Sequence, residues 1–529
     1  MAGLLGIGQS ALMAAYAQLQ TTGHNIANAN TPGYSRQEAV FATAGGTYTG
    51  GGFLGMGVDL VTVQRRYDRF LTGEFASSTA ASAADTSRAA HLERLQRVLA
   101  DTDNGIGAAI DELNAALADV VNRASDPTAR QVVVQRAETL AQRIRNADAQ
   151  MRALGTEADE QIEHAAGRVN ELLEQFAGLN ERIAAVQASG HAPNDLLDER
   201  DRVLLQLNEY MKVTAHAQDD GTVNLFAAGG EGLLVGSHAA RLDPISEPSG
   251  QKIELKIGNA TLAMSADSFG GGSISGAMRF RDEDLEDTRI ALSGIAQNIA
   301  TIYNTRQALG RKADGSPGDA LFGYAELGDD FRSLLVSGSQ LAAAYPVTAQ
   351  FLPENQGDLK LASMSITGAD TPQASIVFDG AGGYAIHENG VQVDAGSYSP
   401  GGTIVHEGWT LTLNGKPQPG DRIDVVLNAN PGTDGRNARA MIVDSESLTE
   451  EFATMLGDVG ARTQSAQASR TSSSGLLSNA QAAHAEYSGV NLDEEAARLM
   501  QYQQMYQAAA KVIQAAQSMF DSLLAATAR

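Results

Sequence analysis

The chain has no cysteine, which excludes disulfides, thiolate metal sites and cysteine nucleophiles. It is poor in aromatic residues, at 5% of 529 residues, with a single tryptophan, Trp409. It is also short of positive charge: 38 Lys and Arg stand against 63 Asp and Glu, a formal net charge of −25. A surface that acidic repels phosphate backbones and disfavours nucleic-acid binding, and copies of the chain must overcome self-repulsion through apolar contact or salt. No apolar run approaches the roughly 18 residues of a membrane-crossing helix. Ala11–Ala17 has the apolarity of a signal-peptide core, but no Asp, Glu, Lys or Arg precedes Arg36, and a cleavable signal needs a basic leader. The expectation is a chain exported, if at all, without one.

What the sequence does contain is a seven-residue repeat at both ends. Leu5, Leu12, Leu19 and Ile26 recur every seventh position, with Gly8, Ala15, Thr22 and Ala29 three places after each; Pro32-Gly33 then stops the helix. Near the other end Leu492, Leu499, Tyr506, Ile513 and Phe520 are again seven apart, accompanied by Ala496, Ala510 and Leu524. Asn491 with Glu494 reads as a capping box that starts this helix. A seven-residue apolar repeat keeps one helix face turned to a partner helix. Either each terminal helix packs on the body, or the two ends pair with each other and with neighbouring subunits; seams at both extremities favour the second.

Between the ends the period changes twice. Residues 66–100 read as a helix, followed by a short amphipathic one on Ile106, Ile110, Leu113, Leu117 and Val120. From 133 to 186 apolar or alanine positions alternate steps of four and three, with one extra four at 158–162, a local eleven-residue phase. As one helix, 129–187 would span about 90 Å, with Gly155, Gly167 and Gly178 as points where it could kink. After a helix at 196–212, strand signals around 213–270 and again from 325 to 432, with Thr403–Leu413 reading as one strand, are punctuated by Asp-Gly and Asn-Gly turns. Helix returns at about 436. The expected fold class is mainly α with inserted β: an elongated multi-domain rod with a terminal coiled coil, a long-helix bundle carrying a small β patch, and an inserted all-β domain. The corresponding domains are 1–38 with 488–529, 39–324 with 433–487, and 325–432, with both termini at one end.

No catalytic or ligand pattern stands out. Asp195, Asp198, Glu199 and Asp201 crowd carboxylates, but on a helix they read as a first turn capped by Asn194 or Asp195, with Asp198 pairing Arg202 at i,i+4. Asp282–Asp287 reads the same way. The Gly-rich stretch 45–57 lacks the Gly-Lys-Ser/Thr of a phosphate loop, and neither His-Glu-x-x-His nor Gly-x-Ser-x-Gly occurs. No cofactor and no metal is expected.

The run Thr21-Thr22-Gly23-His24-Asn25-Ile26-Ala27-Asn28-Ala29-Asn30-Thr31-Pro32-Gly33-Tyr34-Ser35-Arg36-Gln37 resembles the N-terminal signature of bacterial flagellar axial proteins, the family of rod, hook and hook-associated subunits. Its Gly-Tyr-Ser-Arg-Gln ending is most similar to the hook-associated members, as are Ser488–Ala497, Tyr502–Gln504, Tyr506–Ile513 and Asn194–Asp201. The resemblance covers roughly the first 40 and last 45 residues and that interior patch, and does not reach the 325–432 insert. It implies a structural, non-enzymatic subunit of the extracellular flagellum at the junction of hook and filament, exported unfolded by the flagellar type III apparatus. It also implies self-association into a helical ring, hook protein on the proximal side, a distal junction protein on the filament side, and an export chaperone on residues 492–520. Three alternatives stay open: a hook or distal-rod subunit, a secreted enzyme using Asp358, Asp370, Asp379, His387, Glu388, Asp394, His406 and Glu407 of the insert, and an adhesin.

Overall fold

The computed structural model describes residues 2–49, 52–100, 105–188, 192–247, 250–324 and 331–527. Among the described residues the helices are α1 (Ala2–Asn28), α2 (Arg69–Leu99), α3 (Ile106–Asn122), α4 (Pro127–Gln187), α5 (Asn194–Tyr210), α6 (Ala266–Phe269), α7 (Gly272–Arg279), α8 (Glu286–Leu309), α9 (Arg436–Ser488) and α10 (Leu492–Thr527). The long helix expected over 129–187 is one uninterrupted element of 61 residues. The fold is mainly α with inserted β, as the sequence implies. The chain divides into two compact units, Met1–His91 with Thr156–Asp282 and Gln464–Arg529, and Leu92–Gly155 with Glu283–Thr463.

In the first unit, α1 is followed by an antiparallel ribbon that pairs Gln37–Thr43 with Val58–Arg65. The strand signals near 213–270 form two small antiparallel sheets, Val213–Ala217 to His238–Ala239 in four strands and Arg241–Glu247 to Ala260–Met264 in three. Their inward residues Leu225, Leu233, Leu242, Ile253 and Leu255 meet Phe176 of α4, Leu207 of α5, and Phe269 and Ile274 in one buried core. Alternation in the strands and the 3–4 spacing in the helices thus feed the same apolar interior.

The second unit holds a helical core with Ile110, Leu113, Ile144, Leu292, Ile299, Leu448 and Phe452 buried. Its strands form two antiparallel sheets. Five strands run Val347–Phe351, Arg422–Leu427, Ala374–Phe378, Gly383–Glu388 and Val391–Ser397 in spatial order; three run Lys360–Ile366, Trp409–Asn414 and Thr403–His406. Val347, Ile376, Ile386, Ile404, Trp409, Leu411 and Ile423 from both sheets share one core. The stretch Thr403–Leu413, which reads as a single strand, is two strands with a turn between them. Gly408 has φ +71° there, and a Cβ on it would sit 1.6 Å from the Asp370 carbonyl oxygen, so only glycine makes this corner.

Candidate assembly interface at the paired termini

Helices α1 and α10 pack against each other. The line enclosed between them is made of small residues. Gly8, Ala15 and Thr22, seven apart, are buried on α1, and Ala509 and Ala516, also seven apart, on α10. A Cβ on Gly8 would lie 2.9 Å from Ile513 Cγ1, so the absence of a side chain lets the two helices approach. The larger seam residues flank this line. Leu12, Leu19, Ile26, Leu499 and Ile513 are half-buried, while Leu5, Leu492, Tyr506 and Phe520 are exposed. Leu4, Ile7, Met13, Tyr16, Met500, Met505, Val512 and Met519 are exposed as well.

One end of the pair is closed by a polar clasp. The Arg36 guanidinium, with its side chain 5% exposed, donates from Nε to Glu495 Oε1 at 2.8 Å, and its Nη1 lies 3.1 Å from Glu494 Oε2. The Glu495 side chain is 1% exposed, and its Oε2 accepts from Asn25 Nδ2 at 3.0 Å. Asn25 is itself saturated: Oδ1 accepts from the Tyr34 hydroxyl at 2.8 Å and the Gln37 N–H at 2.9 Å, and Nδ2 also donates to the Gln37 carbonyl. The Arg36 N–H donates to the Ser488 carbonyl at 2.8 Å. These bonds join α1, the turn after it, the end of α9 and the first turn of α10. Asn491 caps α10, its Oδ1 accepting from the N–H groups of Asp493 and Glu494. The Glu494 side chain goes to Arg36, so the reciprocal half of the expected capping box is not made.

The segment Asn194–Asp201 extends the clasp. Asp198 is buried, accepts from the Ser35 N–H at 2.9 Å and pairs with Arg65 at 2.9 Å; Asp201 lies 2.6 Å from the same Arg65 nitrogen. Arg202, the expected partner of Asp198, instead pairs with Glu199. Burial works against a charged Arg65, but Asp201 and Asp198 outweigh it and hold its pKa above the ordinary value. Burial, reinforced by Asp195, Asp198 and Glu495, pushes the Tyr34 hydroxyl well up, so it remains a donor at physiological pH. Asn194 Nδ2 donates to the Val63 carbonyl, fixing α5 to the ribbon. Sequence reasoning assigned no role to Asn25, Arg36, Arg65 or Glu495. Asn25, Arg36 and Glu495 do lie in the segments that carry the family resemblance, and Arg36 is the first charge after a long uncharged stretch.

This arrangement can hold helices together, and no chemistry beyond that is evident. Among the described residues no group of three His, Asp or Glu could hold a metal ion, and no helix is long and apolar enough to cross a membrane. A family model described as "Flagellar hook-associated protein FlgK helical domain" matches residues 92–322. Models described as "Flagella basal body rod protein" and "Flagellar basal body rod FlgEFG protein C-terminal" match 5–34 and 481–526, which take in most of α1 and of α10. Flagellar hook-associated protein 1 of Salmonella typhimurium is 27% identical, over 99% of this chain and 100% of that protein. The protein of that name from Escherichia coli K12 matches at 27% over the same shares of both chains, and that of Bacillus subtilis at 23% over 97% and 96%.

Along its whole length the chain is similar to flagellar hook-associated protein 1.

A solved structure of the flagellar hook junction protein FlgK from Burkholderia pseudomallei shares the fold, with a TM-score of 0.68 at 20% identity, covering 78% of this chain and 99% of that one. The hook-associated protein 1 family is one of structural flagellar components. The clasp residues Asn25 and Tyr34 fall inside the first rod-type match, and Glu494 and Glu495 inside the second. The two segments that the models recognise separately are therefore the two halves of one hydrogen-bonded unit.

Proposed function

We propose that this chain joins the hook to the filament as a structural subunit of the bacterial flagellum, adapting a bending hook to a stiffer filament, and that it is not an enzyme. The observation that carries the reading is the terminal pair. It encloses small residues and leaves large apolar ones outward on a strongly acidic chain, a surface other subunits are needed to cover. In this reading residues 1–38 and 488–529 form the inner, tube-building domain. Residues 39–324 and 433–487 form the helical rod with its β patch, and 325–432 an outer β domain. The seam residues Leu5, Leu12, Leu19, Ile26, Leu492, Leu499, Tyr506, Ile513 and Phe520 contact neighbouring copies in a helical ring. Hook protein lies on the proximal side and a distal junction protein on the filament side. The subunit is exported to the extracellular flagellum, and a chaperone covers α10 until assembly.

Leu499→Asp tests this. Leu499 is half-buried in the single chain and covered by neighbours in this reading, where truncating a leucine costs about 2–5 kcal/mol and an unpaired buried carboxylate costs more. The loss recurs in every subunit of a ring. The expected result is a folded 40–485 body, with filament subunits shed into the medium instead of polymerising on the hook. Gln501→Asp, at an exposed position, is expected to be far milder. Leu499→Asp cells that swim with filaments attached would refute the reading.

A further inference from the structure

Beside the clasp, the first unit contains a cavity of about 390 Å³ between the end of the ribbon, the start of α2, α4, α5 and the first small sheet. Arg65, Arg69, Arg200 and Lys212 line it, against a single acid, Asp201. In a chain with 63 acidic and 38 basic residues, four cations around one space reverse the prevailing sign. Arg65 is committed to Asp198 and Asp201. Arg200 is satisfied by neutral acceptors only, Asn180 Oδ1 at 3.3 Å and the Gly221 carbonyl at 2.8 Å. Arg69 and Lys212 have no ion pair among the described residues; Arg69 lies over the Phe70 ring. The floor is apolar, with Phe176 1% exposed.

We propose that this cavity receives an aspartate or glutamate side chain from a second copy of the chain, making it a contact between adjacent subunits. The inference rests on the ring-forming reading above and adds to it a specific socket. Charge complementarity identifies the occupant: most of the ionised surface another copy can present is acidic, and an apolar floor strengthens attraction for a carboxylate by lowering the local dielectric. The rim suits a protein partner. Tyr67, which lines the cavity, is 40% exposed, and Phe70, outside the lining but under Arg69, is 78% exposed; aromatic residues with arginine are the side chains enriched where proteins meet. The same segment continues into the clasp, the Arg66 N–H donating to the Arg36 carbonyl at 2.8 Å. Socket and terminal pair are therefore positioned by one stretch of backbone.

The test uses assembled material. Hook structures that retain the junction are treated with a water-soluble carbodiimide, which condenses the Lys212 amine with a contacting carboxylate into an amide, releasing the activating group as a urea. The expected result is a band of twice the chain mass, lost in Lys212→Gln, whose cross-linked peptide joins Lys212 to an acidic residue of another copy. A dimer band that persists in Lys212→Gln overturns the proposal, as does an absent one or a Lys212 linked only within its own chain or to another flagellar protein. In cells, Arg69→Glu with Lys212→Glu is expected to reduce attached filaments at least tenfold, and Arg69→Lys with Lys212→Arg to retain them. If the charge-reversed cells keep their filaments while Leu499→Asp cells shed theirs, the socket is wrong and the junction reading stands.

Discussion

Replacing Arg36 by methionine isolates the polar clasp, because methionine keeps much of the side chain's length and removes only its donors. In the native protein the Glu495 carboxylate, 1% exposed, sits 2.7 Å from Arg36 Nη2. After the substitution it would retain Asn25 Nδ2 at 3.0 Å and no opposite charge within the clasp. Removing one member of a buried ion pair costs about 3–5 kcal/mol, since the remaining charge stays desolvated. Glu495→Gln is expected to cost less. It leaves Arg36 facing Glu494, whose side chain is 56% exposed, so the guanidinium keeps a partner and access to water.

A chain of two compact units does not justify a single global unfolding energy, so the assay must be local. Amide hydrogen exchange over residues 493–500 reports opening of the first turns of α10. A cost of about 3–5 kcal/mol corresponds to protection falling by roughly two to three and a half orders of magnitude. The pair Arg36→Met with Glu495→Leu, which removes both charges, is expected to recover most of that protection, because neither buried group is then unpaired. Exchange in Arg36→Met within about threefold of the parent would refute the argument. So would a double variant as unprotected as the single one.

Gly8→Leu is expected to separate α1 from α10, costing about 1–3 kcal/mol or more by overpacking, because even a Cβ there meets Ile513. Gly23→Ala, where a Cβ meets nothing within 4 Å, should instead stabilise α1 by about 0.5–1 kcal/mol; equal protection of α1 in the two variants would contradict the packing. Asp421 accepts backbone N–H donors from Gln356, Gly357 and Gln418. Burial would raise its pKa, and these donors outweigh it and hold it below the usual value. Its stabilisation is therefore present above the unfolded carboxylate pKa near 3.9 and lost as pH falls below it. Acid unfolding followed by Trp409 fluorescence should be less steep in Asp421→Asn, and an unchanged profile would count against this role. Burial, opposed by Asp201 and Asp198, lowers the pKa of His484, which sits against Phe75 at 5.5 Å. This contact is then fully stable above about pH 6.5 and weakens as the unfolded histidine takes up a proton below it. An NMR titration placing His484 above 6.5 would overturn that.

Much of the architecture could be read from period alone. α4 was legible because its apolar stripe continues without a break across 61 residues, and the small sheets because alternation and turn residues coincide. The strand over 403–413 was misread because an apolar run does not reveal where the backbone must turn; Gly408 decides that through contact with Asp370, distant in sequence. The terminal seams show a subtler limit. Each helix offers two lines seven residues apart in repeat, one large and apolar and one small. Which line is enclosed depends on how closely two backbones approach. That distance is a property of both helices together, set where Gly8 meets Ile513.

The clasp was not legible for the same reason in stronger form. Arg36 and Glu495 are 459 residues apart, and Arg65 and Asp198 are 133 apart. Local rules instead supplied nearer partners: Asp198 with Arg202, and Glu494 with its own helix start. Those rules describe helices in isolation, where a carboxylate in the first turn is stabilised by the exposed N–H groups and by water. Burial changes the balance, because a desolvated carboxylate needs a full counter-charge. The clasp also supplies what the small-residue line lacks. A seven-residue repeat would accept a slip of one heptad, about 10 Å along the axis, with little change in packing. Arg36, Asn25 and Glu495 meet in only one register, so the polar end of the pair specifies the alignment that its apolar length leaves open.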